Sequence, residues 1–289
     1  KPELSDEAFV EYIEGKASRC IAKHDLLDKG QKVAVAVSGG KDSTAVLHML
    51  LKFGYSVEAV TADAKIGCYT DQNLKNIRKY CDENNVELHE ISFREEFGSS
   101  LCYLQSVLKA KNVNLKSCTT CGVLRRTLLN KKVREIGADV LVTGHNLDDE
   151  AQSFVMNLFK NTLSLAARGG PKTGMVEVEG LVQRVKPLYF ISNNEVIRYS
   201  KIMKFPVYYG ECPCSTEGQR SHVKHWLNDL EKDYPDLKGN AIEYFMAHRD
   251  KIRELVGSAE PNACGQCGEP CARELCKSCQ ILNKLSVEA

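Results

Sequence analysis

Lys32-Val-Ala-Val-Ala-Val-Ser-Gly-Gly-Lys-Asp-Ser43 is the stretch on which the reading of this chain turns. Residues 32–37 are a short apolar, β-branched run closed by Ser38-Gly39-Gly40, the pattern of a buried parallel strand. Beyond Lys41, Val46, Leu47, Leu50 and Leu51 recur at helical spacing, which predicts a helix from Ser43 to Phe53. Strand, glycine turn and helix together aim backbone N–H groups and a helix N-terminus at an anion. Gly39 and Gly40 let the main chain approach a phosphate with no Cβ in the way. Lys41 adds a point charge, and Ser38 and Ser43 add hydroxyl donors. The common Gly-x-x-x-x-Gly-Lys-Ser/Thr loop is excluded, because Val35 stands where its first glycine belongs. A plain serine-glycine turn closing a strand is the bland alternative. The flanking strand and helix argue against it.

Outward from this loop, β and α patterns alternate. Strands are predicted at Val57–Thr61, Val86–Ile91, Asp139–Thr143 and, edge-like, Val182–Pro187. Helices are predicted over residues 5–27, Gln72–Asn84, Gly122–Ile136, Leu147–Phe159 and Asn194–Lys204. The expected fold class is α/β: a doubly wound parallel sheet, Rossmann-like, with ligands at the carboxyl ends of the strands. Residues 161–180 have no clear period and read as a mobile loop. The pattern is helical throughout from Ser221 to Leu255, and Pro261 opens a Cys- and Gly-rich tail. The expected division is an N-terminal helical segment (1–30), the loop-bearing domain (31–220), a helical segment (221–258) and a small C-terminal zinc-binding module (259–289). The 289 residues, 43% hydrophobic, suffice for one substantial core. No apolar stretch is long enough to span a bilayer and no signal peptide is visible, so a cytoplasmic protein is expected. The net charge of +1 does not advertise a nucleic-acid binder, so an RNA partner would need a local patch. Lys1 as first residue suggests a trimmed start.

Thirteen cysteines in a chain without secretory features argue against a disulfide framework. Cys264-x-x-Cys267 and Cys276-x-x-Cys279 are paired knuckles, suited to a closed tetrahedral Zn2+ site. A tail of this size would fold on its metal. A redox dithiol is the bland alternative, and Cys271 is the one plausible substitute ligand. Cys118 and Cys121 precede the Gly122 helix, and Cys212 and Cys214 follow the last strand–helix unit. Loops after parallel strands meet on one face, so these cysteines are expected near the phosphate loop. Three thiolates on a cubane iron–sulfur cluster leave one iron open; four make a closed cluster or a second zinc site. A pair of catalytic thiols carrying a persulfide fits the same residues. Cys20, Cys68, Cys81 and Cys102 stand alone and read mostly as small core residues.

S-G-G-K-D-S resembles the PP-loop of the ATP pyrophosphatases, which cleave ATP between the α and β phosphates and adenylate a substrate. The ordered set is more specific. It comprises that loop, C-T-T-C-G-V-L-R-R from Cys118, G-H-N-L-D-D-E-A (Gly144–Ala151), R-V-K-P-L (Arg184–Leu188), E-C-P (Glu211–Pro213) and the terminal double knuckle. Over nearly the whole chain it resembles the tRNA 2-thiouridine synthetases of the TtuA/NcsA type, including the eukaryotic cytosolic wobble-uridine thiolases. The resemblance implies a [4Fe-4S] cluster on Cys118, Cys121 and Cys212, with the open iron free to hold sulfide and Cys214 as the alternative third ligand. It implies ATP with Mg2+ at Ala36, Ser38, Gly39, Gly40, Lys41, Asp42, Ser43, Ala62, Arg125, Gly144 and Asp149, with Lys41, Arg125 and Asp149 carrying the chemistry. Some relatives have Lys in place of Arg125, which keeps the charge and adds a fork. It also implies a zinc finger ahead of the first helix, absent from this sequence.

The expected activity is ATP-dependent tRNA uridine 2-thiolation, by adenylation of the uracil C2 oxygen and sulfur transfer, in a homodimer. Its sulfur donor is free sulfide or a ubiquitin-like thiocarboxylate carrier. The alternatives are cytidine 2-thiolation and a non-catalytic zinc-knuckle RNA-binding protein. Asp148, Asp149 and Glu150 would suit plain helix capping, but their place after a strand end points Asp149 at the nucleotide. His145 reads as structural. Basic residues cluster at Lys109, Lys111, Lys116, Arg125, Arg126, Lys131 and Lys132, and again at Lys160, Arg168 and Lys172. Such faces are usually solvated, but these flank the cysteine loop where a tRNA backbone would lie.

Overall fold

The computed structural model describes residues 4–174, 180–214, 218–257 and 262–285. Helix α1 (Asp6–Lys23) leads into β1 (Val33–Ala36), α2 (Lys41–Lys52), β2 (Val57–Asp63), α3 (Gly67–Glu83) and β3 (Leu88–Ser92). Then come α4 (Phe93–Phe97), α5 (Leu101–Ala110) and α6 (Ser117–Glu135), followed by β4 (Val140–Thr143), α7 (Leu147–Phe159) and α8 (Leu163–Ala167). The sheet is completed by β5 (Lys172–Thr173) and β6 (Gln183–Val185), before α9 (Asn193–Ile202), α10 (Gln219–Asp233) and α11 (Leu237–Val256). A terminal module holds β7 (Asn262–Ala263), β8 (Pro270–Cys271) and α12 (Lys277–Leu285).

The main sheet runs β3-β2-β1-β4-β6-β5, with every neighbouring pair parallel except β5–β6. This is the expected doubly wound architecture. Val33, Val35, Val140 and Val142 face one core, and Ala34 and Leu141 the other. Burial on both faces explains why these strands read as unbroken apolar runs. The chain moves outward from β1 to β3, then crosses back to β4 on β1's other side. The strand order therefore reverses between β1 and β4, the place where such sheets open a ligand crevice. Ala36 lies opposite Thr143 in register, so the two following loops emerge side by side.

Four expectations are corrected. The strand near residue 182 is internal, because Lys172–Thr173 pairs antiparallel along its outer side. The segment 161–180 is not merely a loop: it contributes α8 and β5, and only its residues 175–179 lie outside the described residues. The run from 221 to 255 is two helices, broken near Asp236, which takes a positive φ of 66°. Of the four stray cysteines, Cys20 and Cys81 are buried, but Cys68 and Cys102 are exposed. Pro261 lies outside the described residues. Among the described residues no helix is long and apolar enough to cross a membrane.

Helices α10 and α11 join the first core through Val223, Leu227 and Ile242. They are also pinned by one buried cation. Lys238 is 3% exposed, and its Nζ donates to Asp148 Oδ1 at 2.6 Å and Asn228 Oδ1 at 2.6 Å, with Glu231 Oε2 at 2.7 Å. Asp148 accepts a further bond from the Asn193 amide at 2.7 Å. Burial alone would drive the ammonium toward neutrality, but Asp148 and Glu231 outweigh it and hold its pKa above the ordinary lysine range. One ammonium thus ties α7, α9, α10 and α11 together. At the other end of the sheet domain, Arg134 of α6 pairs with Glu269 and donates to the Gly180 carbonyl at 2.8 Å, while Leu282 and Leu285 of α12 pack on the second core.

Replacing Lys238 with Met leaves Asp148 buried without its counter-charge, which costs about 3–5 kcal/mol. The expected result is a clear drop in melting temperature, largely recovered when Asp148→Asn is added. A Lys238→Met variant that melts with the unaltered chain would remove this network from the account.

Candidate active site

The phosphate loop is built by close packing. Gly40 precedes α2 with no side-chain cap, so the first-turn N–H groups are left for a ligand. Gly39 has φ +75°, and a Cβ there would lie 2.0 Å from the Asn73 carbonyl oxygen of α3. Only glycine fits this turn. Within it, the Ser38 amide donates to Ser43 Oγ at 3.1 Å, and the Ser43 hydroxyl donates to the Gly40 carbonyl at 3.1 Å.

From β4 comes the opposing wall. A Cβ on Gly144 would stand 2.7 Å from the Asp42 carbonyl carbon and 2.8 Å from the Ser43 nitrogen, so this glycine lets the two loops touch. Asn146 then does two jobs. Its Oδ1 accepts from the Asp148 and Asp149 amides at 3.0 and 3.2 Å, capping α7, and its Nδ2 donates to Asp42 Oδ1 at 2.9 Å. Asp149 returns the cap by accepting from the Asn146 amide at 3.3 Å. Capping occupies only part of the acidic run, and the three acids part ways. Asp148 belongs to Lys238, Glu150 accepts from Lys186 at 2.8 Å, and Asp149 faces the cleft.

Burial raises the Asp149 pKa, and the nearby Asp42 carboxylate raises it further; Arg220 works in the opposite direction. Two mutually repelling carboxylates beside a phosphate loop are an oxygen donor set suited to Mg2+. Lys41 Nζ sits 2.6 Å from Asp42 Oδ2. His145 reaches solvent and its Nδ1 lies 2.9 Å from Thr143 Oγ1; partial desolvation and then Lys186 push its pKa down.

Cys118 and Cys121 lie inside α6, which starts at Ser117, and do not precede it. They occupy its first turn, three residues apart on one face. Cys118 Sγ donates to the Cys214 carbonyl at 3.2 Å. Burial raises the Cys118 thiol and Cys212 and Cys121 raise it further, while Cys121, also raised by burial, feels Arg125 and Cys212. Cys214 is pushed up to about 11 by burial and then by Cys212. The four cysteines thus converge, as the topology requires. Cys118, Cys121 and Cys212 do not crowd as the ligands of a single ion would. In a cubane each thiolate binds a different iron, so a wider triangle of thiols fits a cluster better than a second zinc. On α6, Arg125 Nε is buried with no hydrogen-bond partner among the described residues, a donor awaiting an anion.

A cleft of about 720 Å³ unites the two halves. Lys41, Asp42 and Asp149 line one side, Cys118, Gly122 and Arg126 the other, and Arg220 closes it from α10. Arg220 donates to Ser153 Oγ at 2.8 Å and lies 3.7 Å from Asp149 Oδ1. Ser38, Gly39, Gly40, Ser43 and Gly144 form the loops at its edge, and Ala36 and Ala62 stand at or near the ends of β1 and β2. Arg125, Cys121 and Cys212 are grouped around Tyr69. Asn146, Arg220 and Lys238 escaped sequence reasoning. The Asn146-x-x-Asp149 spacing signals a cap, but nothing local signals the reach to Asp42 or the buried ammonium.

The terminal cysteines form a separate centre. The Sγ atoms of Cys264, Cys267, Cys276 and Cys279 all lie within 4.8 Å of one another. The Cys276 amide donates to Cys264 Sγ at 3.2 Å and lowers that thiol's pKa, while Cys267 and Cys279 are raised, chiefly by burial. Four thiols this close cannot all ionise unless a cation sits among them, so the donor set fits Zn2+. Cys271 takes no part: its thiol donates to the Arg273 carbonyl at 2.8 Å.

Comparison with known proteins agrees with this geometry. Residues 11–230 match the PP-loop domain family. The tRNA-5-methyluridine(54) 2-sulfurtransferase of Pyrococcus horikoshii is 30% identical over 279 residues, spanning 96% of this chain and 87% of that protein. Cytoplasmic tRNA 2-thiolation protein 1 of Drosophila melanogaster is 30% identical over 290 residues, spanning 98% and 82%. Among solved structures, the U34-tRNA thiolase NcsA from Methanococcus maripaludis, determined with its [4Fe-4S] cluster, matches with a TM-score of 0.81 at 26% identity, covering 99% of this chain and 91% of that one. The chain therefore belongs to the PP-loop family, in the branch of the tRNA thiolation proteins.

Proposed function

We propose that this chain is an ATP-dependent tRNA uridine 2-thiolase. The observation that carries the proposal is the single cleft in which Lys41, Asp42 and Asp149 face Cys118. The uracil C2 oxygen is a poor leaving group. Transfer of AMP to it releases pyrophosphate and makes it a good one. A sulfur nucleophile then adds at C2, the C2–O bond breaks, and AMP leaves with the oxygen. The α2 N-terminus, Lys41 and Arg125 stabilise phosphate charge as it shifts, and Arg125 does so with a donor already desolvated. Asp42 and Asp149 would hold Mg2+, with Asn146 fixing the Asp42 carboxylate in place. Cys118, Cys121 and Cys212 would hold the [4Fe-4S] cluster, which when bound supplies an iron position able to carry sulfide. The cleft walls keep the activated uracil from water and bring both reaction partners into one volume.

The named relatives act on uridine positions, which supports uridine over cytidine as the target. The intact loop and cleft speak against a non-catalytic RNA-binding protein. Cys264, Cys267, Cys276 and Cys279 would hold Zn2+ as a structural module. The sulfur donor is sulfide or a thiocarboxylate carrier, and the working unit is a cytoplasmic homodimer.

Lys41→Ala or Asp42→Ala should lower tRNA-dependent pyrophosphate release by about 10²–10³-fold, with the iron content unchanged. Normal release in both variants would place the nucleotide elsewhere. Cys118→Ala, prepared without oxygen, should lose the cluster absorbance and thiolation together while ATP binding survives. Full thiolation by that variant would exclude the cluster assignment. Cys276→Ser should release zinc and lower the melting temperature with iron retained. Loss of iron with zinc retained would reverse the division of the cysteines.

A further inference from the structure

Phe159, the last residue of α7, and Trp226 of α10 are large rings left to solvent, 64% and 47% exposed. They meet each other, with centroids 5.9 Å apart. The residues around them in the chain belong to the cleft: Met156 and Lys160 line it from α7, and Lys224 from α10. The aromatic pair therefore stands at the rim of the cavity that holds the phosphate loop and Cys118.

The charge around that rim is lopsided. Of the acids lining the cleft, Asp42 pairs with Lys41, Asp148 with Lys238, Asp149 with Arg220 and Glu211 with Lys224. Lys116, Arg126 and Lys160 line it with no ion pair among the described residues. Exposed rings bordered by unmatched cations form the combination that binds single-stranded nucleic acid: the rings stack on bases and the cations follow the backbone.

We propose that Phe159 and Trp226 form a base-stacking platform at the mouth of the cleft, taking an unpaired tRNA base next to the target uridine. The proposal rests on the tRNA reading above and adds where the neighbouring base goes. With one base held at the rim, Lys160 and Lys116 lie on the path of the flanking phosphates and the next nucleotide is delivered into the cleft. The rival occupant is a second copy of the chain, since Leu158, Leu163 and Leu165 are also exposed on α7 and α8. Charge decides against it: the core of a protein interface is depleted of charged residues, and this rim is rich in unpaired cations.

Trp226 is the one tryptophan in the sequence, so its emission reports on this site in the unaltered chain. Cofactor-loaded protein is titrated with the substrate tRNA and with a short unstructured oligoribonucleotide, following Trp226 emission and its accessibility to acrylamide. Both RNAs should quench the emission and shield the ring. Phe159→Ala should weaken tRNA binding about tenfold or more, Phe159→Tyr should restore it, and the turnover at saturating tRNA should hold. Three results would overturn the platform. If tRNA binds and is thiolated while emission and shielding stay constant and Phe159→Ala binds normally, the platform is wrong and the function stands. If the emission follows protein concentration and Phe159→Ala changes the sedimentation, a second copy covers the rings. If the unaltered chain binds no tRNA, the functional reading falls with it.

Discussion

Ala36 and Thr143 end neighbouring parallel strands in register, and the chemistry of this chain depends on what their two loops do next. Side chains at the crossing would hold them apart. Instead Gly144 presses against the Asp42–Ser43 backbone and Gly39 against the Asn73 carbonyl. The contact leaves the first-turn amides of α2 free and brings the Asp42 carboxylate close enough to Asp149 to help raise the Asp149 pKa. Paired carboxylates are relieved by a cation and free helix amides by an anion, and both groups stand ready in the fold itself.

The two cysteine centres answer different demands with the same residue. The terminal four are crowded, backed by amide donors and docked by α12 onto α6, as a closed shell with a folding role requires. The inner set is spread over a helix turn and a distant loop, beside arginines that favour thiolate and next to an open cavity. Sequence spacing separates the two only in part. A double Cys-x-x-Cys is local and announces itself, whereas a Cys-x-x-Cys completed by a cysteine some ninety residues on becomes a site only through the sheet.

That difference sets how much could be read beforehand. The doubly wound parallel sheet, the loop and the cysteine groups are legible because strand runs, glycine spacing and knuckles are local patterns. Most of the differences are local patterns overridden by distant partners. Val182–Pro187 looked like an edge because the two-residue β5 that covers it is too short to leave a signature. Cys118 and Cys121 were placed before their helix because threonines obscure its first turn. Asn146 caps α7 in a way its spacing to Asp149 signals, but its second bond crosses to another loop. Lys238 sits in a helix whose sequence gives no warning that a lysine is buried there.

The near-neutral net charge misleads for a related reason. A count of charges treats every acid as cancelling some base, but cancellation needs contact. In the cleft the acids are spent on particular partners: Asp148 on a buried ammonium, Asp42 and Asp149 on the phosphate machinery, Glu211 on Lys224. Lys116, Arg126 and Lys160 are left facing one volume, and their fields add there. A polyanion therefore meets a basic cleft on a chain whose formal charge is +1. Its attraction is local, confined to this opening, and differs from the indiscriminate adhesion that a uniformly basic surface would bring.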